Sequence, residues 1–221
     1  MTENHHQFIE FALQANVLRF GEFKTKAGRL SPYFFNAGLF NTGALLDKLG
    51  HFYAQALLAA KKAGRVDFDM IYGPAYKGIP LAASVAINLA RLGLDVPYAF
   101  NRKEAKDHGE GGVFVGYVPK AGEDVVIVED VITAGTAIRE SMAILSRLEG
   151  VKVAATFIMV DRKERGKGEK LAMEEVEEEF GFPVYSVVDV YDIIAYLEEN
   201  PANAENVARI RNYLAVNGAN A

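Results

Sequence analysis

The chain has 221 residues, half of them hydrophobic and 24% charged, a balance that suits a globular protein and excludes extensive disorder. A net charge of −5 and a pI near 5.5 argue against a general nucleic-acid surface, which needs clustered Lys and Arg. The absence of cysteine excludes disulfides, thiolate catalysis and cysteine-bound zinc. The start, Met-Thr-Glu-Asn-His-His-Gln, lacks a signal peptide's basic and apolar regions, and no run reaches the roughly 18 apolar residues of a membrane span. A cytoplasmic protein with no nucleic-acid or membrane partner is expected.

The length suits a single domain over residues 1–221, with residues 1–40 contributing an accessory helix and hairpin. Phe8, Ile9, Ala12, Leu13 and Ala15 predict a helix over residues 3–16, and residues 18–35 alternate around Lys26-Ala27-Gly28-Arg29 like a hairpin. From Thr42 a long amphipathic helix is expected, with Leu45, Leu46, Leu49, Phe52, Tyr53, Ala56, Leu57 and Ala60 on one face and Gly64 to end it. Short apolar runs at 69–72, 96–100, 125–128 and 151–160 then alternate with helical patterns at 79–92 and 136–148, which predicts a mainly parallel sheet flanked by helices. The acidic run 169–179 reads as a solvated helix without function, because Leu171 and Val176 supply little apolar face. Asn200-Pro201 resembles an N-cap and first position of a last helix packed through Val207, Ile210 and Leu214.

The most informative stretch is Val125-Val126-Ile127-Val128-Glu129-Asp130-Val131-Ile132-Thr133-Ala134-Gly135-Thr136-Ala137. A buried strand ending at the carboxyl edge of a parallel sheet delivers Glu129 and Asp130 to the crevice where such sheets bind ligands. Paired carboxylates there suit sugar hydroxyls or a developing cation. The small-residue loop lets backbone N–H groups approach a phosphate where the following helix dipole also favours an anion. No Walker-type G-x-x-x-x-G-K-[ST] occurs, and Gly109-Glu110-Gly111-Gly112 does not complete a dinucleotide fingerprint after a strand.

This stretch resembles the phosphoribosyl pyrophosphate signature of the type I phosphoribosyltransferase family, which implies that family's fold: a central, mainly parallel sheet flanked by helices, with an N-terminal hood and a mobile lid loop. The resemblance implies that Glu129 and Asp130 hold the ribose hydroxyls, that Thr133, Ala134, Gly135, Thr136 and Ala137 bind the 5-phosphate, and that Val131 and Ile132 belong to the same phosphoribosyl pyrophosphate site. Glu129 stands where many members have Asp.

Other segments narrow the match to the orotate-specific members. Tyr72-Gly73-Pro74-Ala75-Tyr76-Lys77-Gly78 is punctuated like a second phosphate loop, and Tyr76 and Lys77 match the family's pyrophosphate contacts. The charged, glycine-rich segment Arg102-Lys103-Glu104-Ala105-Lys106-Asp107-His108-Gly109-Glu110-Gly111-Gly112 reads as a lid between two strands, able to neutralise pyrophosphate and exclude water. Lys26 and Ser31-Pro32-Tyr33-Phe34-Phe35-Asn36 resemble the hood over the base. Adjacent strand residues face opposite ways, so one of Phe34 and Phe35 belongs to the core, and the pair is assigned to orotate jointly. Arg162, in Val160-Asp161-Arg162-Lys163-Glu164-Arg165-Gly166, either pairs bidentately with a ligand carboxylate or joins a surface network with Glu164.

The resemblance assigns Arg162 and Thr133 to orotate, and Lys26, Arg102, Lys103, Lys106 and His108 to phosphoribosyl pyrophosphate, with Lys106 and His108 supporting the leaving group beside the catalytic pair Glu129 and Asp130. It implies Mg2+ bridging substrate oxygens, with no protein ligand nominated, and a homodimer whose lids are shared between active sites. The alternatives are a purine or uracil enzyme of the family and a noncatalytic nucleotide-sensing regulator on the same fold.

Overall fold

The computed structural model describes residues 1–25, 28–106, 112–166 and 168–218. Helix α1 (Glu3–Gln14) begins after Thr2, whose hydroxyl accepts from the His5 amide. Strands β1 (Leu18–Lys24) and β2 (Leu30–Phe35) pair antiparallel as a hairpin. Aromatic packing fastens this hood to helix α2 (Gly43–Lys62): the Phe8 ring stacks 6.2 Å from Phe35 and meets Phe52 of α2 edge-on at 5.2 Å.

The sheet is built from β3 (Met70–Gly73), β4 (Tyr98–Lys106), β5 (Gly112–Gly116), β6 (Asp124–Glu129), β7 (Lys152–Asp161) and β8 (Val184–Asp189). Their spatial order is β5-β4-β3-β6-β7-β8, with β5 antiparallel to β4 and every other pair parallel. Helices α3 (Gly78–Arg91), α4 (Thr136–Leu145), α5 (Ala172–Phe180), α6 (Val190–Glu198) and α7 (Ala204–Asn217) complete the layers. Both faces of the sheet are covered, so strand residues alternate between two cores. Ile71, Val126, Val128 and Phe157 face one that includes α1, α2 and α3, while Met70, Tyr72, Val125 and Ile127 face one that includes Ile138 of α4 and Val176 of α5. The chain steps to one side from β3 to β4 and to the other from β6 to β7, so the carboxyl ends of neighbouring β3 and β6 flank the crevice at the switch point.

Five elements depart from the sequence reading. Strand β4 extends to Lys106 because it pairs with β5, which puts Arg102 and Lys103 on a strand rather than in the lid loop. Strand β8 and helix α6 were not anticipated, since Val184 to Leu197 is one largely apolar run interrupted only by Ser186, Asp189 and Asp192. Asp189 among them caps α6 by accepting from the Tyr191 and Asp192 amides. The acidic segment forms α5, but it is not merely solvated: Val176 is buried, and Glu177 accepts from the Val184 amide at 2.7 Å. Asn200 and Pro201 start a short 3-10 turn ahead of α7 rather than α7 itself. Among the described residues no helix is long and apolar enough to cross a membrane.

Candidate active site

After β3 the chain makes a turn so tight that only glycine fits at either end. A Cβ on Gly73 would lie 2.0 Å from the Gly78 carbonyl oxygen, and one on Gly78 would lie 2.7 Å from the Gly73 carbonyl carbon. The buried Asn101 side chain of β4 steadies the turn by accepting from the Ala75 amide at 2.8 Å, and the Ala75–Tyr76 peptide is cis. Tyr76 is left 71% exposed, with no core role to account for it. Lys77 precedes α3 and supplies no side-chain cap; the Gly78 and Ile79 amides are instead taken by the Pro74 and Tyr76 carbonyls at 2.9 and 3.3 Å, and Pro80 has no N–H, so a ligand here meets the loop and the Tyr76 and Lys77 side chains rather than the helix amides.

Strand β6 carries the acids. Glu129 is buried and its Oε1 accepts from the Asp130 amide at 2.9 Å, while Asp130 Oδ1 accepts from the Val131 amide at 2.8 Å. Lys77 reaches across from the neighbouring loop and donates to Asp130 Oδ2 at 2.7 Å. The peptide between the two acids is held from below, because the fully buried Tyr53 of α2 donates its hydroxyl to the Glu129 carbonyl at 2.7 Å. Tyr53, Lys77 and Asp130 line one cleft of about 180 Å³ with Ala37, Leu49 and Met159.

Burial, and after it the Asp130 charge, pushes the Glu129 carboxyl up to about 8, against the opposing effects of the Asp130 amide and Lys77. A carboxyl raised in the folded state stabilises the fold while protonated, fully below its ordinary value of 4.5, and that contribution fades as pH rises through about 8. Glu129→Gln, a neutral isostere, is therefore expected to flatten the decline of Tm across this window. Thermal melts of both proteins over the range check it, and parallel curves would reject a neutral Glu129 in the unliganded protein.

The loop after β6 is anchored at both ends: the Met159 amide of β7 donates to the Asp130 carbonyl at 2.9 Å, and Gly135 enters α4 with φ of +67°. No side chain caps α4, which leaves its N-terminal amides for a ligand, and Thr133 and Thr136 are exposed. At the end of β7, Arg162 lies under the hood. Its Nε donates to Glu164 at 2.8 Å, its Nη2 donates to the Ser31 hydroxyl at 3.0 Å, and its guanidinium sits 4.3 Å from the Tyr33 ring centre. Burial works to deprotonate Arg162, but Tyr33 and Glu164 outweigh it and raise its pKa. Phe35 is turned into the core, whereas Phe34 is half-buried against Phe23, 5.4 Å away. On β4, Arg102 donates to the Phe114 carbonyl at 3.2 Å and Lys103 donates to Glu140 at 2.7 Å. Lys26, His108 and the side chain of Lys106 lie outside the described residues.

Residues 39–186 match the family model for the phosphoribosyl transferase domain. The chain is 54% identical to an orotate phosphoribosyltransferase of Yersinia enterocolitica over 214 residues, covering 96% of this chain and 97% of that protein. The same figures hold for the enzyme of Salmonella agona. The chain belongs to the orotate phosphoribosyltransferase family. A crystal structure of the Francisella tularensis member superposes with a TM-score of 0.84 at 42% identity, covering 96% of this chain and 99% of that one.

Sequence reasoning singled out Glu129, Asp130, the loops after β3 and β6 and Arg162, but not the contacts by which Asn101, Tyr53, Ser31 and Arg139 support them. Ser31 lay in the hood segment and Tyr53 on the expected apolar face of α2, and none of the four has a local pattern that sets it apart from packing. The glycine turn yields a direct test. Gly73→Ala forces the backbone away from Gly78 and is expected to weaken phosphoribosyl pyrophosphate binding at least about tenfold, within the hundredfold that ångström-scale misplacement produces. Calorimetric titration measures this, and unchanged affinity would remove the turn from the ligand site.

Proposed function

We propose that the protein transfers the ribose 5-phosphate group of phosphoribosyl pyrophosphate to orotate, forming orotidine 5′-monophosphate and pyrophosphate in pyrimidine (UMP) biosynthesis. The observation that carries this reading is the Lys77–Asp130 contact of 2.7 Å at the switch point. It brings a pyrophosphate-side cation and a ribose-side carboxylate within one substrate length, with the N-terminus of α4, free of a side-chain cap, behind the loop after β6.

The bond between the anomeric carbon and pyrophosphate breaks as an orotate ring nitrogen bonds to that carbon, inverting it. Positive charge develops on the ribose and negative charge on pyrophosphate, so the protein's work is alignment and electrostatic stabilisation, without a covalent nucleophile. Glu129 and Asp130 hold the ribose hydroxyls and favour the cationic sugar, and residues 131–137 hold the 5-phosphate. Tyr76 and Lys77, with Lys26, Arg102, Lys103, Lys106 and His108, attend the pyrophosphate. Arg162 and Thr133, with the hood at Phe34 and Phe35, receive orotate. Because Glu164, Ser31 and Tyr33 hold Arg162, its guanidinium is oriented before the substrate arrives.

Mg2+, were it bound with the substrate, would supply positive charge to offset the negative charge developing on the leaving pyrophosphate, and Glu129 and Asp130 are the residues of the cleft whose oxygens could help to hold it. Among the described residues no cluster of three or more His, Cys, Asp or Glu could cage an ion, while Glu129 and Asp130 offer hard oxygen donors. That fits an ion carried mostly by substrate and water. We read residues 1–221 as one cytoplasmic domain acting as a homodimer, each lid serving the neighbouring site.

The test is orotate consumption with phosphoribosyl pyrophosphate and magnesium, the product confirmed by mass, with adenine, hypoxanthine and uracil assayed alongside. Selective orotidine monophosphate formation supports the reading. Turnover of another base instead would redirect the specificity, and binding without turnover would favour a regulator.

A further inference from the structure

The acidic helix α5 bears directly on the phosphate loop. Arg139, in the first turns of α4, donates Nη1 to the Ala134 carbonyl inside that loop, and its Nε lies 2.9 and 2.8 Å from the two Glu179 carboxylate oxygens of α5. A side chain at Gly135 would meet Arg139 Nη1 and Val176 Cγ2, each 3.1 Å away. Val176, also on α5, is buried, so that helix supports the left-handed turn at Gly135 directly through Val176 and indirectly through Glu179, which holds Arg139. An arginine fork suits this task because it can hold a carbonyl and a carboxylate at once with fixed angles, which a lysine cannot.

A loop that receives an anion through backbone N–H groups must keep its carbonyl oxygens turned elsewhere. Ala134 lies in the middle of the loop, and its carbonyl is the one Arg139 restrains. We propose that Arg139, oriented by Glu179, is a positioning residue for the 5-phosphate loop, with α5 as the buttress of the phosphate site. The proposal rests on the reading of residues 131–137 as that site. The pair itself is partly exposed, with side-chain exposures of 31% and 40%, so it adds little to global stability and its effect falls on loop placement.

The experiment measures the Kd for phosphoribosyl pyrophosphate, inhibition by inorganic phosphate, KM for each substrate and Tm, in the parent, Arg139→Lys and Glu179→Gln. In Arg139→Lys the KM and Kd for phosphoribosyl pyrophosphate and the Ki of phosphate are expected to rise roughly tenfold, while the KM for orotate and Tm hold. Glu179→Gln is expected to move in the same direction by less. Tighter phosphate binding in Glu179→Gln overturns the proposal, because relieving Arg139 of its counterion would strengthen a direct contact with the anion. Equal losses for both substrates with a lowered Tm overturn it as well, in favour of general destabilisation. If the parent binds no phosphoribosyl pyrophosphate, the underlying functional reading fails; if the parent binds it and both variants match the parent, only this proposal fails.

Discussion

Asp130→Asn lowers kcat/KM for phosphoribosyl pyrophosphate by roughly 100- to 1,000-fold, the range seen when one oriented electrostatic contact to a transition state is removed. Asparagine keeps the shape of the side chain and an oxygen that can still accept from the Val131 amide, so the turn after β6 is retained. The lost quantity is charge. The Lys77 partner is 63% exposed, and an ion pair with so wet a cation contributes little to folding, so Tm is expected to stay near that of the parent. Steady-state kinetics with each substrate varied, together with a thermal melt, separate the two effects. A kcat/KM within a few fold of the parent would mean that the acid pair does not face the ribose.

Arg162→Lys is the second large effect, and it falls on the other substrate. The guanidinium is buried with side-chain exposure of 12%, and Glu164 beside it is equally enclosed at 13%. Truncation to alanine would leave that carboxylate with the longer 3.5 Å contact to Arg29 and would empty the space beside Tyr33, confusing binding with loss of stability. Lysine keeps the charge but loses the planar fork, so it cannot serve Glu164, Ser31 and a ligand carboxylate together. The KM for orotate is expected to rise about 100-fold, corresponding to one charged hydrogen-bonding interaction of about 2–3 kcal/mol, while the KM for phosphoribosyl pyrophosphate changes little. A proportional rise in both constants would instead identify Arg162 as a strut between β7 and the hood.

The two substitutions differ in how visible their settings were beforehand. Around Asp130 the information is contiguous: a β-branched strand, two acids, a small-residue loop and a helix stripe lie within one segment, and their order alone says which edge of a sheet presents the carboxylates. Around Arg162 the sequence left two outcomes open, a ligand contact or a surface network with Glu164. The pair with Glu164 forms, yet it is buried beneath β2 and stacked on Tyr33, because the hood folds back over the end of β7. That closure depends on aromatic contacts among Phe8, Phe35 and Phe52, which come from three separate elements.

Strand β8 and helix α6 escaped notice for a different reason. Both belong to one largely apolar stretch, and buried strand and buried helix share the same residue types, so only the Asp189 cap marks the change of period. Helix α5 was misjudged because few apolar residues suffice when one of them, Val176, meets a glycine and the glutamates find partners on other elements.

The sequence by itself determined the parallel α/β layering, the place of the acid pair at the end of a core strand and the family to which the chain belongs, since each is written in local periodicity and in residues close together in the chain. Only the tertiary structure decided that Lys77 meets Asp130, that Tyr53 holds the peptide between the acids, that Arg162 lies enclosed beneath the hood and that Arg139 links α5 to the phosphate loop. Those contacts arise from the order of strands in the sheet and from the packing of helices on its faces, long-range choices that no local pattern encodes.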